Sequence, residues 1–247
     1  MTRLLTALLI GSAVTAGSAQ AQTTAPQPGT GLGEIVVTAQ KREESLQEVP
    51  ISIVSLSTDK LENLNIERFT DLGFSVPNLR LSQHPTTVFS TRLFIRGIGN
   101  NDAQITQDPA VGIYQDGVYV ARSTGLAFDF GDVERVEVLR GPQGTLYGRN
   151  TTGGAINIVT RRPTGEASVS GKLDYGTKNY FRGLAHVDLP AMGVLSTSVS
   201  ALYARRDGLV KNTGAGADFG EYDRWGIRAA AFAEFSDSFN AFVTYDH

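Results

Sequence analysis

From residue 166 onward, apolar and polar side chains alternate with a period of two. Ala167, Val169, Leu173 and Tyr175 share one side of a segment whose other side carries Glu166, Ser168, Ser170, Lys172 and Asp174. Phe181, Ala185, Val187 and Leu189 then stand against Arg182, His186 and Asp188, and Leu195, Val199, Ala201 and Tyr203 against Ser196, Ser198 and Ser200. A fourth face sets Trp225, Ile227, Ala229, Ala231, Ala233 and Phe235 opposite Arg224, Arg228 and Glu234; Phe239, Ala241, Val243 and Tyr245 begin a fifth. Strict alternation predicts strands with one apolar and one wet face. Each segment runs to about ten residues, within the ~9–11 that a tilted strand needs to cross a bilayer. Aromatic residues cluster near the strand ends, where a membrane-interface girdle requires them. The connections at 176–179, 190–193 and 236–238 are short and that at 207–221 is long. A soluble sandwich with one wet face is the competing architecture.

Between residues 48 and 160 the pattern is mixed. Val49 to Val54 reads as a strand, and Ser57-Thr58-Asp59 offers a cap for a helix with Leu61, Leu64 and Ile66 at helical spacing. Glu67 to Leu72 adds a second short helical turn that stops before Pro77. Arg92 to Gly97 is a strand running into a glycine turn. Val111 to Gln115 and Val118 to Val120 flank Asp116-Gly117, the pair that suits a type I′ hairpin. Val133 to Leu139 and Gly154 to Thr160 supply two more strands. Strands interrupted by short helices predict an α+β domain ending near residue 160.

The N-terminus reads as an address. Arg3, an apolar run from Leu4 to Val14 and the small-residue site Ala19-Gln20-Ala21 form a secretory signal over residues 1–21. Residues 22–33, rich in Pro, Gly and Thr, read as a flexible tether. Glu34-Ile35-Val36-Val37-Thr38-Ala39 follows, a β-prone strand placed to pair with a partner's sheet edge. The chain of 247 residues has no cysteine and three scattered histidines, which excludes disulfide scaffolds, thiolate metal sites and cysteine nucleophiles. Neither a catalytic set, a metal site nor a cofactor motif is legible. A net charge of -3 argues against nucleic acid as a partner.

Gly141-Pro142-Gln143-Gly144-Thr145-Leu146-Tyr147-Gly148-Arg149-Asn150-Thr151-Thr152-Gly153-Gly154 lacks the lysine and the spacing of a phosphate-cradling loop. With its flanks, Leu139 to Pro163, it closely resembles the end of the plug domain of TonB-dependent outer-membrane receptors. Glu34 to Ala39 resembles that family's TonB box, and Phe94-Ile95-Arg96-Gly97 its earlier plug motif.

The resemblance implies residues 48–163 as an α+β plug domain, a mixed sheet with short helices, preceded by a flexible segment with the box over 22–47. Antiparallel transmembrane strands over 164–247 would begin a β-barrel of about 22 strands around it. Five strands cannot close such a barrel, so the chain is expected to be the N-terminal portion of a receptor. It implies active uptake of a scarce nutrient, with a ferric siderophore or similar iron complex as ligand. TonB would grip Glu34, Ile35, Val36, Val37, Thr38 and Ala39 from the periplasm, and outer-membrane lipid would surround the wall. Arg96 and Arg140, followed by Gly97 and Gly141, match plug arginines that latch onto wall glutamates. A buried guanidinium needs such a fork-shaped acceptor. Competing readings are a signal-transducing receptor of the same architecture and a secreted β-rich binding protein or enzyme.

Overall fold

The computed structural model describes residues 35–38, 41–42, 44–84, 87–101, 107–121, 132–236 and 238–247. The expected signal segment, the tether, Glu34 and Ala39 lie outside the described residues. The chain enters with β1 (Val36–Val37) and β2 (Glu44–Ser45), paired antiparallel. Then come β3 (Ile53–Ser57), α1 (Thr58–Asn63), a 3-10 helix (Phe69–Phe74), β4 (Leu79–His84), β5 (Thr87–Ile95) and β6 (Ile98–Asn100). They are followed by β7 (Val111–Gln115), β8 (Val118–Tyr119), β9 (Val133–Arg140), α2 (Gly144–Tyr147) and β10 (Gly154–Thr160).

The central sheet has the order β3-β9-β10-β7-β8. β10 pairs parallel to β7 and antiparallel to β9, so the segment after the glycine-rich loop is inserted between two earlier strands. Both faces of β10 are covered. Ile156 and Ile158 enter a cluster with Phe69, Leu72, Ile95, Val136 and Val138, whereas Ala155 faces a second cluster with Val37, Val49, Tyr114, Leu139 and Tyr147. That two-sided burial explains its nearly unbroken apolar run. A separate sheet of order β4-β5-β6 lies beside it in the topology.

Local chemistry accounts for the turns. Asp116 and Gly117 have φ of 49° and 83°, the positive pair of the expected type I′ hairpin. Arg96 and Gly97, at 51° and 81°, build a second turn of that kind between β5 and β6. The first strand starts at Ile53 rather than Val49, because Pro50 has no N–H to donate to a ladder. The Thr58 hydroxyl, at the start of α1, donates to the carbonyls of Val133 and Glu134 and ties the helix to β9. β4 and α2 have no counterpart in the pattern read from the sequence.

The second half is one antiparallel sheet, β11 (Ser168–Gly176), β12 (Tyr180–Met192), β13 (Leu195–Arg206), β14 (Tyr222–Ser236) and β15 (Phe239–Asp246), in sequence order. Val169, Leu173 and Tyr175 stand 78–81% exposed on one side, and Arg182, His186, Asp188, Ser198, Ser200 and Arg228 are buried on the other. The alternation therefore has the expected sense, apolar outward and polar inward. The sheet is open, with β11 and β15 at its edges. No helix among the described residues is long and apolar enough to cross a membrane, which does not bear on crossing by strands.

Candidate functional site

The strand expected to meet a partner is folded back onto the plug. Its edge pairs with β2 through Val36 with Ser45 and Val37 with Glu44. Val37 is 0% exposed, seated among Val49, Tyr114, Leu139, Tyr147 and Ala155. Burying a valine is worth about 1.5–3 kcal/mol, enough to hold a two-residue strand. The next residue is held by charge. The Thr38 amide donates to Glu137 Oε1 at 2.8 Å, and its hydroxyl lies 3.2 Å from the same oxygen. Glu137 is itself 0% exposed and accepts from Arg135 Nε at 2.8 Å and from Asn157 Nδ2 at 3.2 Å. A buried carboxylate is tolerable only with such donors. Far from hanging on its tether, the strand is docked, with the Thr38 N–H already engaged.

Tyr147 closes the apolar side of that socket, and its ring meets the Tyr114 ring edge-on with centroids 4.9 Å apart. The Tyr114 hydroxyl donates to the Tyr147 carbonyl. Burial raises the Tyr147 phenol well above the ordinary tyrosine range, and Glu137 and Tyr114 raise it further. Tyr114 is raised by burial first and then by Tyr119.

The glycine-rich loop is a backbone brace. Gly141 N donates to Gly153 O, Gln143 N to Thr151 O and Gly153 N to Ala110 O, at 3.0, 3.0 and 2.8 Å. Pro142 leads into α2, of which Gly144 and Tyr147 are the first and last residues, and Gly148 ends it. Gly154 opens β10 at φ +150°, where any side chain would strike the Leu139 carbonyl. The two latch candidates meet here. Arg96 lies against Gly141, whose φ of +105° suits glycine, and donates from Nη2 to Ser52 Oγ at 3.2 Å. Arg140 donates its backbone N–H to Ser52 O, while its buried Nε has no hydrogen-bond partner. Ser52 thus receives the Arg96 guanidinium through its hydroxyl and the Arg140 backbone through its carbonyl.

On the opposite sheet, register builds a polar row that the sequence did not single out. Ser170, His186, Ser200, Arg228 and Asp246 are successive cross-strand partners from β11 to β15. The plug grips this row with two carboxylates. Asp132 accepts from Ser200 Oγ at 2.8 Å, and Asp116 accepts from Arg228 Nη2 at 3.0 Å. Arg228 also donates to Thr160 Oγ1 at 2.6 Å and to Asp246 at 2.8 Å. Farther along, the Tyr180 hydroxyl donates to Glu67. His186 has Nδ1 2.8 Å from Ser200 Oγ and Nε2 3.1 Å from Asp188 Oδ2. The grouping has the composition of a hydrolytic triad but not its proton order. Ser200 gives its proton to Asp132 rather than to the ring, and the two ring nitrogens are reversed from a triad, with Nε2 on the carboxylate and Nδ1 on the serine. Neither apolar cluster contains a wall residue, and the contacts that tie plug to wall are hydrogen bonds and ion pairs. Residues on adjacent strands form the row. Only pairing register, which a single sequence does not state, brings them level. Among the described residues no group of three or more histidines and carboxylates is placed to hold a metal ion.

The TonB-dependent Receptor Plug Domain family matches residues 45–155. The pesticin receptor of Yersinia pestis is 34% identical over 234 residues, covering 93% of this chain and 32% of that protein. The vitamin B12 transporter BtuB of Vibrio vulnificus is 34% identical over 130 residues, 51% of this chain and 20% of that one. The crystal structure of the ferric yersiniabactin uptake receptor FyuA from Yersinia pestis superposes with a TM-score of 0.59 at 30% identity, over 74% of this chain and 28% of that one. The pyoverdine receptor FpvA of Pseudomonas aeruginosa reaches a TM-score of 0.71 at 18% identity, over 85% and 29%, a likeness of fold alone. The chain thus spans about a third of the length of the curated pesticin receptors it matches. These relatives are receptors and transporters, not enzymes. A mixed-sheet plug braced by its glycine-rich loop and joined to an open sheet of outward-apolar strands, together with these likenesses, makes the chain a member of the TonB-dependent outer-membrane receptors.

Proposed function

We propose that the receptor to which this chain belongs takes up a ferric siderophore or similar iron complex, and that residues 34–39 are its TonB box. In this reading residues 1–21 direct export, 48–163 are the plug and 164–247 begin the barrel wall. The observation that carries the proposal is the docked strand: an exposed β-prone segment would need only a surface, whereas Val37 is buried in the plug and Thr38 is tied to its buried Glu137. A partner strand that captures this segment must take over the Thr38 N–H and empty the Val37 socket, so its pull is delivered to β9 and β10. The ferric yersiniabactin named for FyuA supports the iron-complex class, whereas the vitamin B12 named for BtuB supports only the broader uptake of a scarce nutrient. Arg96 and Arg140 act as the latch in this account, each guanidinium taking a carboxylate from the barrel wall.

The test uses the full-length receptor in cells and a panel of ferric yersiniabactin, ferripyoverdine and cobalamin. Ile35→Pro removes the donor N–H ahead of β1 while sparing the Ile35 carbonyl that accepts from Leu46. Uptake should collapse with surface binding intact. Unimpaired uptake by the variant refutes the box, and uptake in wild-type cells that survives loss of the proton gradient refutes TonB driving.

A further inference from the structure

We infer that His186, Asp188 and Ser200 on the wall and Asp132 on the plug form a proton-binding site, and that the bound proton decides whether the wall holds the plug at this point. The inference goes beyond the uptake function proposed above and does not depend on it. All four side chains are buried, and they make a chain of short contacts. His186 Nε2 lies 3.1 Å from Asp188 Oδ2, His186 Nδ1 2.8 Å from Ser200 Oγ, and Ser200 Oγ 2.8 Å from Asp132 Oδ2.

Each of those contacts joins two electronegative atoms, which attract only through a hydrogen between them. A neutral imidazole carries one N–H and serine one O–H, so three contacts would share two hydrogens. An imidazolium supplies the third: Nδ1–H is given to Ser200, the Ser200 hydroxyl to Asp132 and Nε2–H to Asp188. The charged ring also faces Asp132 Oδ1 directly, 3.4 Å from Nδ1. A neutral ring must choose. With its hydrogen on Nδ1 it keeps Asp132 but turns a lone pair on the Asp188 carboxylate. With its hydrogen on Nε2 it keeps Asp188, Ser200 turns its hydroxyl to Nδ1, and Asp132 is left opposite an oxygen lone pair. Plug and wall carboxylates are satisfied together only when the extra proton is bound.

The charged neighbours are engaged with other acceptors. Lys172 on β11 and Arg182 on β12 reach Asp174, and Arg228 on β14 reaches Asp116 and Asp246. From the plug, Arg161 Nε stands 3.7 Å from Asp132 Oδ1, the oxygen that Ser200 does not use. Asp188 draws its remaining donors from Ser168 Oγ and the Thr164 amide, at 3.0 and 3.2 Å. Protons have access to the site. A cavity of about 310 Å³, lined by Asp132, Ser200, Leu202 and Arg228, lies beside it in the seam between plug and wall and has room and polar partners for water. Once Asp132 leaves the wall, a neutral ring serves Asp188 through Nε2–H and takes the Ser200 hydrogen at Nδ1, so the proton is released. Seating of the plug and binding of the proton therefore favour each other. The contact is complete below the imidazole range, which centres on about pH 6.5, and weakens as pH rises through it.

The test uses the full-length receptor in lipid vesicles, isotopically labelled at histidine nitrogen, with the His186 signal assigned by its loss in His186→Gln. Nitrogen NMR at pH 5 should find hydrogen on both ring nitrogens; a ring with one hydrogen at that pH overturns the site. The second measurement is hydrogen exchange at the Arg161 amide, which donates to the Asp132 carbonyl at 3.2 Å. It is expressed as protection relative to an unfolded peptide at the same pH. Protection should fall at least threefold between pH 5 and pH 8 in wild type and stay level in Asp132→Asn. In that variant the carboxamide gives its own hydrogen to Ser200, and a neutral ring meets every contact. Level protection in wild type, or an equal fall in Asp132→Asn, overturns the proton's hold on the plug. Neither measurement reads transport, so failure here leaves the uptake reading standing, and that reading can fail with the proton site intact.

Discussion

Plug and wall use the same strand alphabet in opposite senses. In the plug, β9 and β10 hide apolar side chains on both faces, and Val136, Val138, Leu139, Ala155 and Ile156 are all 0% exposed. In the wall, β11 leaves Val169 and Leu173 bare and turns Lys172 and Asp174 toward the plug. A plug strand gains stability by removing apolar surface from water. A wall strand has lipid for that purpose and reserves its inner face for hydrogen bonds. The two regions consequently meet across a polar boundary, cohesive within each part and exchangeable between them.

The comparison can be broken most forcefully at Glu137. Glu137→Ala in the full-length receptor strands the Thr38 amide and leaves Arg135 only the more exposed Glu134, and should destabilise the plug by about 3–5 kcal/mol in urea titration. It should also free the docked strand, seen as rapid hydrogen exchange at residues 36–38. Ile156→Ala tests the apolar side of the same domain, with an expected loss of about 2–5 kcal/mol. Retained plug stability in either variant would contradict a self-sufficient core. For the wall, Val199→Arg places a charge on the lipid side and should cost about 2–4 kcal/mol near mid-membrane. Leu202→Gln, three positions on and facing the seam cavity, should cost far less, because water can reach it. Equal costs from folding titrations in lipid would mean that the two faces are misassigned.

The smallest effect concerns pH. An unfolded tyrosine ionises at about 10, whereas burial raises both Tyr147 and Tyr114 in the folded plug. The folded state therefore holds protons that the unfolded state has lost. The contribution is complete below pH 10 and disappears as pH rises beyond it. Plug stability measured from pH 9 upward should decline, and Tyr147→Phe should flatten the decline.

Much of this organisation was legible along the chain. Asp116-Gly117 announced its hairpin because only a few residue types accept two successive positive φ values. The wall strands were legible because alternation over ten residues leaves few other folds. The β1 docking was not: Val36-Val37 reads the same whether free or folded back, and the difference is made by Glu137, about a hundred residues away. Likewise β4 and α2 lack a strong local signature, since Leu79–His84 mixes apolar and polar residues without a turn signal and Gly144–Tyr147 begins and ends among glycines.

What the sequence determined by itself was local: which segments are strands, which face of each is apolar, and where the backbone turns. These follow from side-chain period and φ preference, properties that a residue carries with it. Tertiary structure alone decided the rest. The parallel insertion of β10 beside β7 sets Asn157 next to Glu137 and so completes the polar site that holds Thr38. The antiparallel register of the wall puts Ser170, His186, Ser200, Arg228 and Asp246 on one level. The plug's Asp132 and Asp116 reach that level only through the fold. Such partnerships depend on pairing between distant segments, where a shift of one residue would turn every side chain to the opposite face.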